Sequence, residues 1–157
     1  MAGPHRKGGQ TEFFTPRELL SQLGHFDLDP CTATHRPWDT ADRHLTLDDD
    51  GLVAPWYGTV FMNPPYDFRH IAKWLDRASA HHALALVFAR TDTIWWDTYV
   101  WGRASGVLFL RGRITFCDRH GNPYPHNCGA PMALVAYGQI MLDRLKSVSY
   151  LGKLIHI

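Results

Sequence analysis

Asn63-Pro64-Pro65-Tyr66 concentrates one carboxamide, proline-bounded backbone carbonyls and one phenol ring in four consecutive residues. Each proline fixes its own φ, gives up its N–H and pushes the residue before it towards an extended conformation. Such a stiff tetrapeptide offers hydrogen-bond acceptors beside an aromatic face. That combination suits a flat molecule bearing an exocyclic amino group. It closes the apolar run Thr59-Val60-Phe61-Met62, which reads as a buried strand. Taken alone, four residues are equally compatible with a strand-to-helix turn that contains two prolines.

The other residues with chemistry to offer fall at the ends of elements. Phe26 to Cys31 alternates like a short strand and breaks at Pro30, which sets Asp29 at a strand's C-terminal end, where doubly wound folds place ligand contacts. An Asp-Pro turn is the structural alternative. The continuous apolar run Ala83–Ala89 predicts a fully buried parallel strand, and Arg90-Thr91-Asp92-Thr93 follows it. Gly106–Leu110 predicts another strand, leading into Arg111-Gly112-Arg113, whose glycine permits close backbone approach. Arg90, Arg111 and Arg113 are therefore candidate cations for a polyanionic partner, with ordinary surface charge as the alternative. Cys117, His120, His126 and Cys128 are all zinc-ligand types, but intervals of two, five and one residues fit no common zinc pattern, and no metal is expected. Asp48-Asp49-Asp50-Gly51 lacks the later bidentate glutamate of a calcium loop.

The elements that position these residues follow from pattern. Thr15-Pro16-Arg17-Glu18 reads as an N-cap, first turn and capping glutamate, predicting a helix from Pro16 to about Leu23 that ends at Gly24. Phe68–His81 carries Ile71, Ala72, Leu75 and Ala78 at helical spacing, and a further helix is expected from about Thr93 to Arg103. In that helix Trp95 or Trp96 offers either an exposed wedge against a flat partner or a core side chain. Pro131–Tyr137 predicts a closing strand, followed by a short helix near Gln139–Lys146 and a strand at Lys153–Ile157. Only 34 positions separate Asp29 from Asn63, room for about one βα repeat. Strand–helix alternation with a final antiparallel strand predicts a three-layer α/β domain with a mostly parallel sheet.

The chain of 157 residues, 45% hydrophobic and 13% aromatic, suits one compact domain over residues 11–157 behind a flexible, weakly basic tail at 1–10. No apolar run reaches the ~18 residues of a membrane span. The first nine residues lack a signal peptide's apolar core, and three scattered cysteines do not make a disulfide framework, so a reducing cytoplasm is expected. Lys+Arg 16 against Asp+Glu 15 neither demands nor excludes nucleic acid, so any basic face must come from local clustering.

Asn-Pro-Pro-Tyr resembles the amino-methyltransferase motif in the form typical of adenine-N6 enzymes, although glutamine methyltransferases share it. Read in order, Phe14-Thr15-Pro16, Leu28-Asp29-Pro30-Cys31, Asp50-Gly51-Leu52, Asn63-Pro64-Pro65-Tyr66, Ala89–Thr93, Arg111-Gly112-Arg113 and Gly129-Ala130-Pro131 resemble the small phage-type DNA N6-adenine methyltransferases over about residues 11–140. The resemblance implies a reduced Rossmann-like class I methyltransferase fold. It also implies methyl transfer from S-adenosylmethionine, with S-adenosylhomocysteine as product, to adenine N6 in DNA, in a bacterial host's cytoplasm and from a phage or prophage gene. Its site residues would be Asn63, Pro64, Pro65 and Tyr66 for catalysis on a flipped adenine, and Phe14, Thr15, Pro16, Asp29, Pro30, Cys31, Asp50 and Asn63 for the methyl donor. Arg90, Asp92, Arg111 and Arg113 would meet DNA. One departure stands out: Cys31-Thr32-Ala33-Thr34-His35 replaces the usual Gly-rich turn, with Thr32 and Thr34 as candidate hydroxyls at a helix start. An RNA or protein-glutamine methyltransferase, or a binding relic that has lost donor binding, remain the alternative readings. A cytosine-C5 enzyme does not fit, because Pro30-Cys31 stands before the strand that would carry its nucleophile.

Overall fold

The computed structural model describes residues 12–157, so the tail expected at 1–10 lies outside the described residues. Seven strands form one sheet: β1 (Leu28–Asp29), β2 (Arg43–His44), β3 (Thr59–Met62), β4 (His82–Phe88), β5 (Gly106–Leu110), β6 (Met132–Tyr137) and β7 (Gly152–His156). Their order across the sheet is β2-β1-β3-β4-β6-β5-β7. The pairs β1–β2, β1–β3 and β3–β4 are parallel, while β6 runs antiparallel to both β4 and β5, and β7 antiparallel to β5. Five strands thus point one way and two the other, so Pro131–Tyr137 is followed by a second antiparallel strand at the sheet's edge. The C-terminal ends of β1, β3, β4 and β5 consequently lie along a single edge.

Period-two alternation sends successive residues to opposite faces and divides the interior in two. One face presents Val60, Met62, Ala83, Ala85, Val87 and Val135 to α2 (Ile71–Ala78) and to a turn of π-helix at Trp96–Trp101. The other presents Phe61, Leu84, Leu86, Leu108, Met132 and Leu134 to α1 (Arg17–Leu23) and α3 (Gln139–Ser147). Helices on both faces give the expected three layers. The alanines of the first face leave room for Trp56, Trp74 and Trp96.

Two expected helices differ. In place of a helix over 93–103 stands the π-helix, whose i→i+5 spacing sets Trp96 and Trp101 on one side, with ring centroids 5.7 Å apart at 80°. Trp96 is 0% exposed, which makes it a core residue and removes it as a DNA wedge. Between β1 and β3 no helix forms. That segment is too short and turn-rich to complete a βα repeat, so Thr32 and Thr34 do not begin a helix. Its only regular element among the described residues is the two-residue β2, and the loop at 48–56 is pinned to α2 instead. There Trp56 Nε1 donates to Gly51 O at 2.7 Å, Arg77 Nη1 donates to Gly51 O at 3.0 Å, and the Arg77 guanidinium lies 4.8 Å above the Trp56 ring.

Gly51 is where this loop meets β1. A Cβ there would stand 1.8 Å from Pro30 O and 3.0 Å from the Trp74 ring. Backbone cannot yield as a side chain does, so Gly51→Ala should cost at least about 2 kcal/mol by forced overpacking. The measured consequence is a fall in Tm of roughly 4–8 °C for a chain of this size. Substitution of the neighbouring exposed Asp49 by Ala, which disturbs only its hydrogen bonds to Thr46, should have a much smaller effect in the same thermal scan.

Candidate active site

A cleft opens at the shared C-terminal edge, between the ends of β1 and β3 and the segment that leads into α1. Its walls include Phe14, Thr15, Asp29, Cys31 and Asn63, which were expected from sequence, and Thr32, a candidate hydroxyl, together with Phe13, Phe61, Ala33 and Thr40, which were not named as site residues. Pro16, Pro30 and Asp50 do not line it. Asp50 sits in the exposed turn with φ 52°, and its Oδ1 accepts the Leu52 N–H at 3.2 Å, while the adjacent Gly51 abuts Pro30.

Asn63 follows β3 with the same facing as Phe61, towards Phe13–Thr15. Its Nδ2 donates to Phe13 O at 3.2 Å and to Thr15 Oγ1 at 3.3 Å. A carbonyl oxygen can only accept, so the amide nitrogen must face Phe13, and Oδ1 is thereby turned the other way. Thr15 is not the N-cap expected from its sequence context. α1 has Pro16 at its cap without a side-chain bond, because the Thr15 hydroxyl, in a residue 3% exposed, is turned inward to Asn63. Trp38 Nε1 donates to Thr15 O at 3.1 Å and fixes the segment from its other side.

The Tyr66 hydroxyl donates to Asn63 Oδ1 and makes a second contact to Leu86 O at 3.1 Å. Its ring meets Phe88 edge-on at 4.6 Å and approaches Phe116 at 6.5 Å. The acceptor end of the Asn63 amide therefore already holds a hydrogen from within the chain. Pro64 is buried and Pro65 half-buried between these two side chains in sequence.

Asp29, 3% exposed, accepts the Cys31 N–H at Oδ1 (3.1 Å) and the Thr40 hydroxyl at Oδ2. Thr40 N–H donates to His44 Nε2 at 3.1 Å. Burial is the main influence lowering the His44 pKa below its ordinary value; the Arg36 guanidinium adds to it and the Asp39 carboxylate opposes it. Where a Gly-rich turn is missing, the chain thus walls the cleft with a return segment, residues 38–42. Nothing in the sequence marks it, since β2 spans two residues and shows no periodicity.

Arg90 follows β4 on the same edge as Asn63, its guanidinium 5.2 Å from the centroid of the Phe88 ring that touches Tyr66. Arg111 follows β5, three strand positions from β3 and hence roughly 14 Å along the edge. It is tied to the Tyr150 carbonyl at 3.3 Å, and Arg113 and Asp92 are exposed nearby in sequence to these cations. The loop after β5 folds back onto the segment before α1. Phe14 and Cys117 exchange backbone hydrogen bonds at 2.9 and 3.0 Å, and Tyr124 Oη donates to Glu12 O at 2.6 Å. Cys117, His120, His126 and Cys128 do not converge. Cys117 is buried, with its thiol pKa pushed up chiefly by that burial, and Cys128 Sγ donates to Ala130 O. Among the described residues the ligand-type atoms that do converge are those of His25, Asp27 and Asp42, at the opposite edge. There Asp27 already accepts the Thr59 N–H at 2.7 Å and the Thr59 hydroxyl at 3.0 Å.

An amide acceptor, a neighbouring ring and a buried carboxylate on adjacent parallel strands form the arrangement expected of an amino-methyltransferase. No curated protein and no solved structure gives a significant match. The family model described as DNA N-6-adenine-methyltransferase (Dam) matches residues 7–153. The match spans nearly the whole chain, strand edge and cleft included, and the protein belongs to the DNA N-6-adenine-methyltransferase (Dam) family.

Proposed function

We propose that Asn63 is the residue on which adenine N6 is held for methyl transfer, with Asp29 and the cleft beside it receiving the methyl donor. The reaction itself follows from family membership: S-adenosylmethionine-dependent methylation of adenine N6 in DNA. The observation that carries the residue assignment is the one-way orientation of the Asn63 amide, nitrogen held by Phe13 O and Thr15 Oγ1. An adenine amino nitrogen has its lone pair delocalised into the ring and is a poor nucleophile. Acceptance of its hydrogens by Asn63 Oδ1 and by the Pro64 carbonyl draws the nitrogen towards tetrahedral geometry and localises the pair. Positive charge develops there during attack, and acceptors aimed at it stabilise the transition state. When bound, S-adenosylmethionine supplies an electrophilic methyl group on a sulfonium.

The cleft's donor set fits that group. Asp29 supplies a buried carboxylate for a cationic amine, Thr32 supplies a hydroxyl, and Phe14 and Phe61 supply apolar walls. Pro16, Pro30 and Cys31 shape its backbone, and Asp50 acts at one remove through the Gly51–Pro30 contact. On the DNA side the adenine leaves the duplex, since an amine inside the base stack is out of reach. The Tyr66 ring stacks on it once its hydroxyl releases Asn63, and Arg90, Arg111 and Arg113, with Asp92 beside them, meet the DNA backbone along the edge. One domain over residues 11–157 carries all of this, in the reducing interior of a bacterial cell and from a phage-type gene.

Nucleoside mass spectrometry on unmethylated DNA incubated with protein and S-adenosylmethionine checks the assignment. Wild type should produce N6-methyladenine, and Asn63→Ala should lose about 100-fold or more in kcat, as removal of one transition-state hydrogen-bond partner does. Equal turnover by both proteins would remove Asn63 from the mechanism. Tyrosine 66 is tested by steady-state kinetics on a single-site oligonucleotide. Tyr66→Phe keeps the ring and should hold kcat/KM within about fivefold, or raise it, because the amine no longer displaces a hydroxyl. Tyr66→Ala should lose about 5- to 150-fold, the equivalent of 1–3 kcal/mol of base stacking. A Phe variant as impaired as Ala would assign the hydroxyl a direct catalytic part.

A further inference from the structure

We propose that His44 and Thr40 act as a positioning pair for the methyl-donor site, a neutral imidazole holding the Thr40 backbone so that its hydroxyl stays on Asp29. The inference rests on the reading of the cleft as the donor site. Residues 38–42 belong to no helix or strand, and they separate two openings. Thr40 lines the cleft on one side, and Trp38 to Asp42 line a second groove, shared with Arg17 and Phe26, on the other. Trp38 and Ala41 pack against the core beneath, while Thr40, between the two openings, keeps its place by hydrogen bonds. The segment's backbone and indole hydrogen bonds are Trp38 Nε1 to Thr15 O, Thr40 N–H to His44 Nε2, and Asp42 N–H to Phe26 O, each at 3.1 Å, beside side-chain contacts of Asp39 with Arg36, Thr40 with Asp29 and Asp42 with His25. The first and third fix the ends of the segment, and the His44 contact fixes its centre, where the hydroxyl that touches Asp29 is carried.

An imidazole nitrogen accepts a backbone N–H only in the neutral ring with its proton on the other nitrogen. The His44 side chain is 7% exposed, and the surroundings favour that form. Burial and the Arg36 guanidinium disfavour a charged ring, while the Asp39 carboxylate, 3.9 Å away, favours it weakly. From β1, the strand beside it, Asp29 pairs with His44 in register, its own carboxylate occupied by Cys31 N–H and the Thr40 hydroxyl. Arg43 on β2 turns away to the Tyr57 ring. Neither residue touches the reacting atoms; both act through Asp29. In a chain without a Gly-rich turn, this relay sets the carboxylate that faces the donor's charged end.

Titration calorimetry with S-adenosylhomocysteine, across pH 5 to 8.5, separates this role from bulk structure. At pH 8, His44→Leu should weaken binding about tenfold, the effect of one lost hydrogen bond at a buried group, with the melting transition still cooperative. His44→Gln restores an acceptor that does not titrate and should bind within about threefold of wild type. Wild-type affinity should fall as pH drops through the lowered His44 pKa, below the ordinary imidazole range, and His44→Gln should lack that fall. Leu and Gln variants that bind alike, or an unchanged pH profile in His44→Gln, would overturn the positioning role. Failure of the wild-type protein to bind S-adenosylhomocysteine at any pH would overturn the reading of the cleft itself, and the relay with it.

Discussion

A carboxamide has two ends of nearly equal shape and opposite hydrogen-bonding character, and this site depends on which end of Asn63 faces which way. Phe13 O and Thr15 Oγ1 take the nitrogen, so the oxygen is committed to the side of Tyr66. The partners come from about fifty residues earlier in the chain, in a segment that is neither strand nor helix. Its rigidity is borrowed: Trp38 holds the Thr15 carbonyl, and the loop after β5 locks Phe14 through a two-way backbone bridge with Cys117. A single orientation of one side chain therefore draws on three distant stretches of sequence.

The sheet supplies the frame for this orientation. Parallel pairing of β1, β3 and β4 brings Asp29, Asn63 and Arg90 to one edge in an order set by topology, with carboxylate, amide and cation on successive strands. Under the proposed assignment the donor site and the base site are neighbours by construction, which would hold the reactants in proximity. Tyr66 closes the arrangement. Its hydroxyl sits on the oxygen proposed to receive the adenine amine, so in that proposal base entry and release of Tyr66 are one exchange of hydrogen bonds.

How much of this the sequence discloses follows from how each element is stabilised. β6 is buried throughout, and β3, β4 and β5 are buried except at one end, so their apolar runs mark them within a residue or two. Asn63, Asp29 and Arg90 were readable because they stand where such runs stop. Thr15 was readable as a residue of interest but for the wrong local reason: Thr-Pro-x-Glu is a strong helix-start pattern, and only the tertiary contact with Asn63 decides against the cap. Thr40 and His44 left no trace, since their roles come from a loop returning to β1, and two-residue strands have no periodicity. The helix expected over 93–103 stands instead as a π-helix, distinguished by the five-residue interval that brings Trp96 and Trp101 together.

The most direct test of the central claim changes what holds the Asn63 nitrogen and leaves Asn63 untouched. Thr15→Val replaces the hydroxyl by a methyl of similar shape, and Thr15→Ser keeps the hydroxyl while deleting the methyl. Single-turnover methylation at saturating donor and DNA should fall about tenfold in the Val variant, the equivalent of one unsatisfied buried donor, and stay near wild type in the Ser variant. Equal rates for Val and wild type, or equal losses for Val and Ser, would contradict an amide oriented by the segment before α1.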